Sequence, residues 1–402
     1  MRWCTPRGGP TRAARPTPVG PLAPPGPPEE PSVSTAVAPV ATSAPSRPAG
    51  LVFDRTDELA TAAHEQVVFC HDRATGLRAI IALHDTTLGP ALGGTRIKAY
   101  ASEADALTDV LRLSQGMTAK SAAAGMDLGG GKAVIIGDPS VIKTRELLLA
   151  YGRFVDSLGG RYVTAADIGS TADDLDIVAE STRWVVGKNK GGSGDSGYST
   201  AYGVFCAMRA AAERRFGPSG LSGRTVGVEG VGKVGSRLVS LLAAAGVERI
   251  LVSDPYAAAT AALAANLAHV EVVPSVIDAA VDVYAPCALG ATLTPSSVAA
   301  LRAPVVCGAA NNQLLTHDVA DLMHARGILW VPDYVANAGG VVQVGGELYG
   351  QSHEEVEAKI AAIGHTTEEI LRTADDLGIT TSAAADAIVE ARLAARRSEL
   401  GR

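Results

Sequence analysis

The stretch Gly230-Val-Gly-Lys-Val-Gly235 spaces three glycines as a dinucleotide pyrophosphate requires. Gly230 permits a tight turn, Gly232 lets the backbone approach phosphate, and Gly235 lets the next helix lie close to its sheet. Val231, Lys233 and Val234 complete the loop. Three glycines alone are weak evidence, because glycine-rich turns are common, but here the context is complete. Residues 224–229 read as a strand and 236–245 as a helix whose first N–H groups can meet phosphate. Residues 250–253 read as a second strand ending at Asp254. An acid there accepts hydrogen bonds from the adenosine ribose and repels a 2′-phosphate, so the expected cofactor is NAD rather than NADP. Glu229, an anion directly before the first glycine, has no explanation at this level.

A second set of reactive residues lies upstream. Gly93-Gly94-Thr95-Arg96 reads as a glycine-rich turn, and Lys120 follows a helix in Gly116-Met-Thr-Ala-Lys120. Lys132 closes Asp127-Leu-Gly-Gly-Gly-Lys132 just before a strand, and Asp167 stands past the carboxyl end of another, where open α/β sheets bind ligands. A lone lysine is ordinarily a solvated surface group. The Gly-Gly-Gly-Lys run is no ATP-binding loop: Met126 stands where that motif needs glycine, and Ala133 where it needs Ser or Thr. Cys287 has no visible partner base and reads as packing. The five cysteines (Cys4, Cys70, Cys206, Cys287, Cys307) are scattered and odd in number, and no histidine pair has ligand spacing. Neither a disulfide framework nor a metal site is expected, and a reducing compartment, the cytoplasm, is the simpler setting.

These residues must be positioned by alternating strands and helices. Residues 67–70, 78–83, 133–136 and 161–164 have strand patterns. Ser102 caps a helix with Asp105 as capping-box partner, and Thr144 opens another with Leu147, Leu148, Tyr151, Val155 and Leu158 on one face. The pattern predicts a parallel α/β architecture. Residues 191–197 read as a hinge, a helix spans about 200–215, and the alanine-rich tail from about Glu354 is helical. Aromatics are only 4% of the chain against 47% apolar residues, so the cores are built from Ala, Val, Leu and Ile. A net charge of −7 supplies no basic field for nucleic acid, and no apolar run is long enough to cross a membrane. Residues 1–50 hold 13 of the 22 prolines and cannot form a core, so they read as a disordered tail.

Across about residues 54–390 the chain resembles the glutamate/leucine/phenylalanine/valine dehydrogenase family, closest to its valine and leucine members. The motifs carrying the resemblance are Gly89-Pro-Ala-Leu-Gly-Gly-Thr-Arg96, Leu128-Gly-Gly-Gly-Lys-Ala-Val-Ile-Ile-Gly-Asp-Pro139, Tyr284-Ala-Pro-Cys-Ala-Leu-Gly290, Ala309-Ala-Asn-Asn-Gln-Leu314 and Asn337-Ala-Gly-Gly340. The resemblance implies oxidative deamination of an L-amino acid. Lys120 would then hold the substrate carboxylate, and Lys132 would activate water as a neutral amine, with burial and nearby positive charge expected to lower its pKa. Asp167 would exchange protons with the departing amine. Gly93 and Gly94 would shape the site, and Asn311 and Asn337 would orient substrate and nicotinamide. Leu92 matches the position of a side-chain-binding lysine in glutamate-specific relatives. With Ala165, Val341 and Val344 it implies an aliphatic substrate: valine, leucine or isoleucine. Gly346, where an acid is usual, and Asp195-Ser-Gly-Tyr-Ser199 depart from the family pattern.

The fold expected is α/β with two domains separated by a cleft. Residues 51–198 form a substrate-binding and oligomerisation domain and 199–340 a Rossmann NAD-binding domain, while the helices of 341–402 pack back across the cleft onto the first. The partners expected are a small amino acid and further copies of the chain. Glutamate or phenylalanine dehydrogenase, and a non-catalytic NAD-binding regulatory protein, stay open as alternatives.

Overall fold

A computed structural model describes residues 64–401; the proline-rich segment expected over 1–50 and the start of the first domain lie outside the described residues. The first sheet contains β1 (Gln66–Asp72), β2 (Leu77–Asp85), β3 (Ala91–Lys98), β4 (Gly129–Ile136) and β5 (Tyr162–Ala166), in the order β1-β2-β4-β3-β5. It is mixed rather than parallel. The short turn at Gly76 (φ 73°) makes β1 and β2 an antiparallel hairpin, and β2 also runs antiparallel to β4, whereas β3 is parallel to both β4 and β5. Helix α1 (Glu103–Ala123) covers one face and α2 (Arg145–Ser157) the other. Ser102 Oγ accepts the Asp105 N–H (3.1 Å) but donates its own hydroxyl to the Asp105 carboxylate (2.8 Å), so this cap is one-sided.

Three sequence expectations change here. Gly93 to Arg96 form no turn but belong to β3; Lys132 is inside β4 rather than before it; and α1 runs through Gly116, so Lys120 is in its last turn. The cause is close packing. A Cβ on Gly93 would strike the Gly131 carbonyl, one on Gly130 would strike Thr118 of α1, and one on Gly131 the Tyr162 ring. The glycines let three strands and a helix approach closely, so they are strand residues with a packing reason.

Helix α3 (Gly197–Phe216) leads to the second sheet of β6 (Thr225–Glu229), β7 (Arg249–Ser253), β8 (Val270–Val272), β9 (Val283–Pro286), β10 (Val305–Val306) and β11 (Leu329–Trp330). All pairs are parallel and the order is β11-β10-β9-β6-β7-β8. The strand order reverses at β6 and β9, and the crevice beyond their carboxyl ends is where such sheets bind dinucleotides. Helix α4 (Gly235–Ala244) follows β6.

Helices α5 (Gly339–Leu348), α6 (His353–Leu377) and α7 (Thr381–Glu399) end the chain. Ile360, Ile363 and Leu371 of α6 join the core formed with Val204 and Ala207 of α3. Helix α7 returns to the first sheet and its helix α1: Arg392 donates to the Ala122 carbonyl of α1 (2.7 Å) and Arg397 to Asp85 of β2 (2.8 Å). One core cluster continues from Leu92 and Val163 of the first sheet to Val226 and Val283 of the second. The chain is a two-domain α/β protein with a parallel dinucleotide-type sheet. Among the described residues no helix is long and apolar enough to cross a membrane.

Candidate active site

Strands β3, β4 and β5 with α1 wall one side of a cleft of about 360 Å³. The other side is built from α5, the short helix Asp333–Ala336 and the loop after β10. Alternation along β4 turns Gly130, Lys132 and Val134 to the face that α1 covers, and Gly130 leaves α1 room to bring its last turn, with Lys120, to the cleft beside Lys132. Lys132 Nζ is 2.8 Å from Asp167 Oδ2, with the lysine side chain 8% exposed and the carboxylate 20%. Arg96 from β3 donates through Nε to the same oxygen (3.1 Å) and through Nη1 to Asp109 (2.9 Å). Burial pushes the Asp167 carboxyl up, but Lys132, Arg96 and a backbone N–H outweigh it and hold the group below the ordinary carboxylate range.

Lys120, expected as the carboxylate anchor, also reaches this cleft. Burial lowers its pKa to about 8; Asp333 and Asp167 act against that shift and Lys132 with it. Beside Lys132 the cleft places a carboxylate, not isolated positive charge. Lys120 Nζ donates to Asn311 Oδ1 (3.3 Å), which also accepts from Asn337 Nδ2 (2.9 Å). The two asparagines therefore join both sides of the cleft through Lys120. Asn337 is 3% exposed and its Oδ1 has no hydrogen-bond partner among the described residues, which leaves a buried acceptor at a site where a ligand N–H can meet it. Leu92, Ala165, Val341 and Val344 line the apolar part of the same cleft, and Gly93 and Gly94 its backbone wall.

Of the glycine-loop residues only Val234 reaches this cleft; Gly230, Val231, Gly232, Lys233 and Gly235 lie next to it between β6 and α4. Gly230 has φ 89°, and a Cβ on Gly235 would strike the Gly230 carbonyl, whereas Gly232 opens on space with nothing within 4 Å. That is a cradle shaped for phosphate, and the residues present fit a dinucleotide. Asp254 differs from expectation in being engaged already: Oδ2 accepts the Val231 N–H and Oδ1 the Tyr256 N–H, each at 2.8 Å. Glu229 now has an explanation, because its carboxylate accepts the buried Tyr284 hydroxyl across the sheet. The Cys287 thiol is pushed up to about 12 by burial, which fits packing better than nucleophilic attack.

Residues 64–185 match the profile of the Glu/Leu/Phe/Val dehydrogenase dimerisation domain, and residues 191–261 and 258–401 that of the glutamate/leucine/phenylalanine/valine dehydrogenases. The chain belongs to this family. Valine dehydrogenase from Streptomyces albus is 52% identical over 342 residues, covering 83% of this chain and 93% of that protein. Leucine dehydrogenase from Bacillus cereus is 45% identical over 338 residues, 83% and 92% of the two chains. The crystal structure of L-tryptophan dehydrogenase from Nostoc punctiforme superposes with a TM-score of 0.75 at 40% identity, covering 86% of this chain and 100% of that one. This member of the family is thus an amino acid dehydrogenase, an oxidoreductase.

Sequence reasoning missed several groups in this dehydrogenase. Arg96 was noticed only as part of a motif, and Asp109 and Asp333 not at all; none carries a local signature, because each matters only through a partner distant in the chain. The two departures from the family pattern also gain a setting. A Cβ on Gly346 would strike Val356, and Asp195 pairs with Arg237 of α4 (2.6 Å) and with Lys233 (3.4 Å).

Proposed function

We propose that this dehydrogenase oxidises valine, leucine or isoleucine with NAD and water to the 2-oxo acid, ammonium, NADH and a proton. The observation that carries the reading is the convergence of Lys120, Lys132 and Asp167 on one cleft with an aliphatic wall. The Lys120 ammonium anchors the substrate carboxylate. Asp167, held ionised, takes a proton from the substrate ammonium, so the amine lone pair can drive hydride loss from Cα. NAD, when bound at the Gly230–Gly235 loop, supplies the hydride acceptor. Lys132, as the neutral amine, then takes a proton from water as it adds to the substrate iminium carbon, and Asp167 returns its proton to the amine. The C–N bond breaks as the carbinolamine hydroxyl gives its proton to solvent and forms the carbonyl, the departing ammonia taking up the proton held by Lys132. Closure of the cleft excludes bulk water from these steps.

Leu92 and the neighbouring apolar side chains give no partner for a side-chain carboxylate, which supports an aliphatic over an acidic substrate. Asp254 places negative charge beside the ribose end of the cradle and supports NAD over NADP. The dimerisation-domain match supports a homo-oligomer, and the reducing setting inferred from the scattered cysteines supports a cytoplasmic enzyme. The test is NADH formation from NAD with each of valine, leucine, isoleucine, phenylalanine and glutamate. Turnover confined to phenylalanine or glutamate overturns the substrate; a bound cofactor with no turnover on any of them leaves the regulatory alternative.

A further inference from the structure

One carboxyl group in the cleft has no part in that scheme. Asp333, at the start of the helix Asp333–Ala336, accepts the Asn312 N–H through Oδ2 at 2.6 Å. Asn312 has φ 52°, and its carbonyl accepts the N–H of Ala291, which has φ 57°. Two left-handed non-glycine residues thus face each other beyond β9 and β10, and such positions persist only where their surroundings enforce them. Next to Asn312 is Asn311, whose Oδ1 accepts from Lys120.

We propose that Asp333 is a positioning residue for the substrate-carboxylate anchor: it pins the Asn311–Asn312 turn against Lys120 and sets a carboxylate in the same cleft as that amine. The inference rests on the reading of Lys120 as that anchor.

The charged surroundings are few. Asp333 acts on Lys120 from the short helix, Lys132 from β4 and Asp167 from the end of β5. On the remaining sides the short helix meets apolar residues: Val335 joins Ile370 and Ala374 of α6, and Ala336 joins Val204 of α3. Tyr334 turns to Asp386 of α7 (2.8 Å). Burial lifts the Asp333 carboxyl above the usual range, against the Asn312 N–H and the Lys120 charge. Removing the carboxylate removes an attraction that favours the Lys120 ammonium, so the ammonium is lost at lower pH.

The experiment follows competitive inhibition by 3-methylbutanoate, a carboxylate with no amine to titrate, from about pH 7 to about pH 10 at saturating NAD. In the unsubstituted enzyme inhibition weakens as pH rises through about 8. Asp333→Asn keeps an oxygen for the Asn312 N–H but not the charge, and moves that fall about one pH unit lower. Asp333→Ser, smaller and also neutral, gives the same displacement, and Asp333→Glu restores the original profile. A merely structural role leaves the profile where it was. Neutral variants with the original profile overturn the proposal, provided Lys120→Met abolishes inhibition. If Lys120→Met binds the inhibitor normally, the anchor reading itself fails.

Discussion

Gly93, Gly130 and Gly131 in the first sheet and Gly230, Gly232 and Gly235 after β6 look alike in the sequence, yet an added Cβ meets different surroundings. In the first group it meets protein: the Gly131 carbonyl, Thr118, the Tyr162 ring. At Gly232 it meets nothing within 4 Å, in a loop whose unfilled space suits a phosphate. One set of glycines packs strands and a helix closely enough to bring Lys120 and Lys132 to one cleft; in the other, Gly230 and Gly235 also meet protein, and Gly232 alone keeps backbone bare for a ligand. Glycine content alone does not separate the two uses, and the atoms facing each α-carbon do.

The largest expected effect tests the packed set. Gly93→Ala should cost roughly 3 kcal/mol or more of stability, read from denaturant unfolding, because β4 cannot yield without breaking its ladder. An unchanged midpoint would break the comparison. Next, Lys132→Ala should reduce kcat by about 10²- to 10⁴-fold while the fold persists, because what the packing delivers is this amine; full turnover removes the proposed mechanism. Gly232→Ala sharpens the contrast. Its melting temperature should match the parent while the KM for NAD rises about tenfold, and a melting loss as large as that of Gly93→Ala would merge the two classes. The smallest effect is expected from Asp254→Asn, about threefold in the KM for NAD with NADP better tolerated, since its carboxylate is already shared with two backbone N–H groups. Kinetics with both cofactors decide it.

Local signals were read correctly where local physics decides. The strand–loop–helix at 224–245 and the N-caps at Ser102 and Thr144 depend on neighbours within a few residues, although the capping-box half expected of Asp105 does not form. The errors share one cause. Gly93-Gly94 resembles a turn unless the strands on both sides are known, and Lys132 seems to precede its strand because three glycines carry no β pattern. Asp109 and Asp333 escaped notice because a carboxylate announces nothing until its partner is in place.

By itself the sequence determined the α/β class, the nucleotide loop and the reactive side chains the chain carries, since backbone propensity and side-chain chemistry are properties of short segments. Only the tertiary structure decided which amine meets which carboxylate. Lys132 is paired with Asp167 and Lys120 is lowered by burial because β4, β5 and α1 converge on one cleft, and electrostatic energy depends on distance and burial rather than order along the chain.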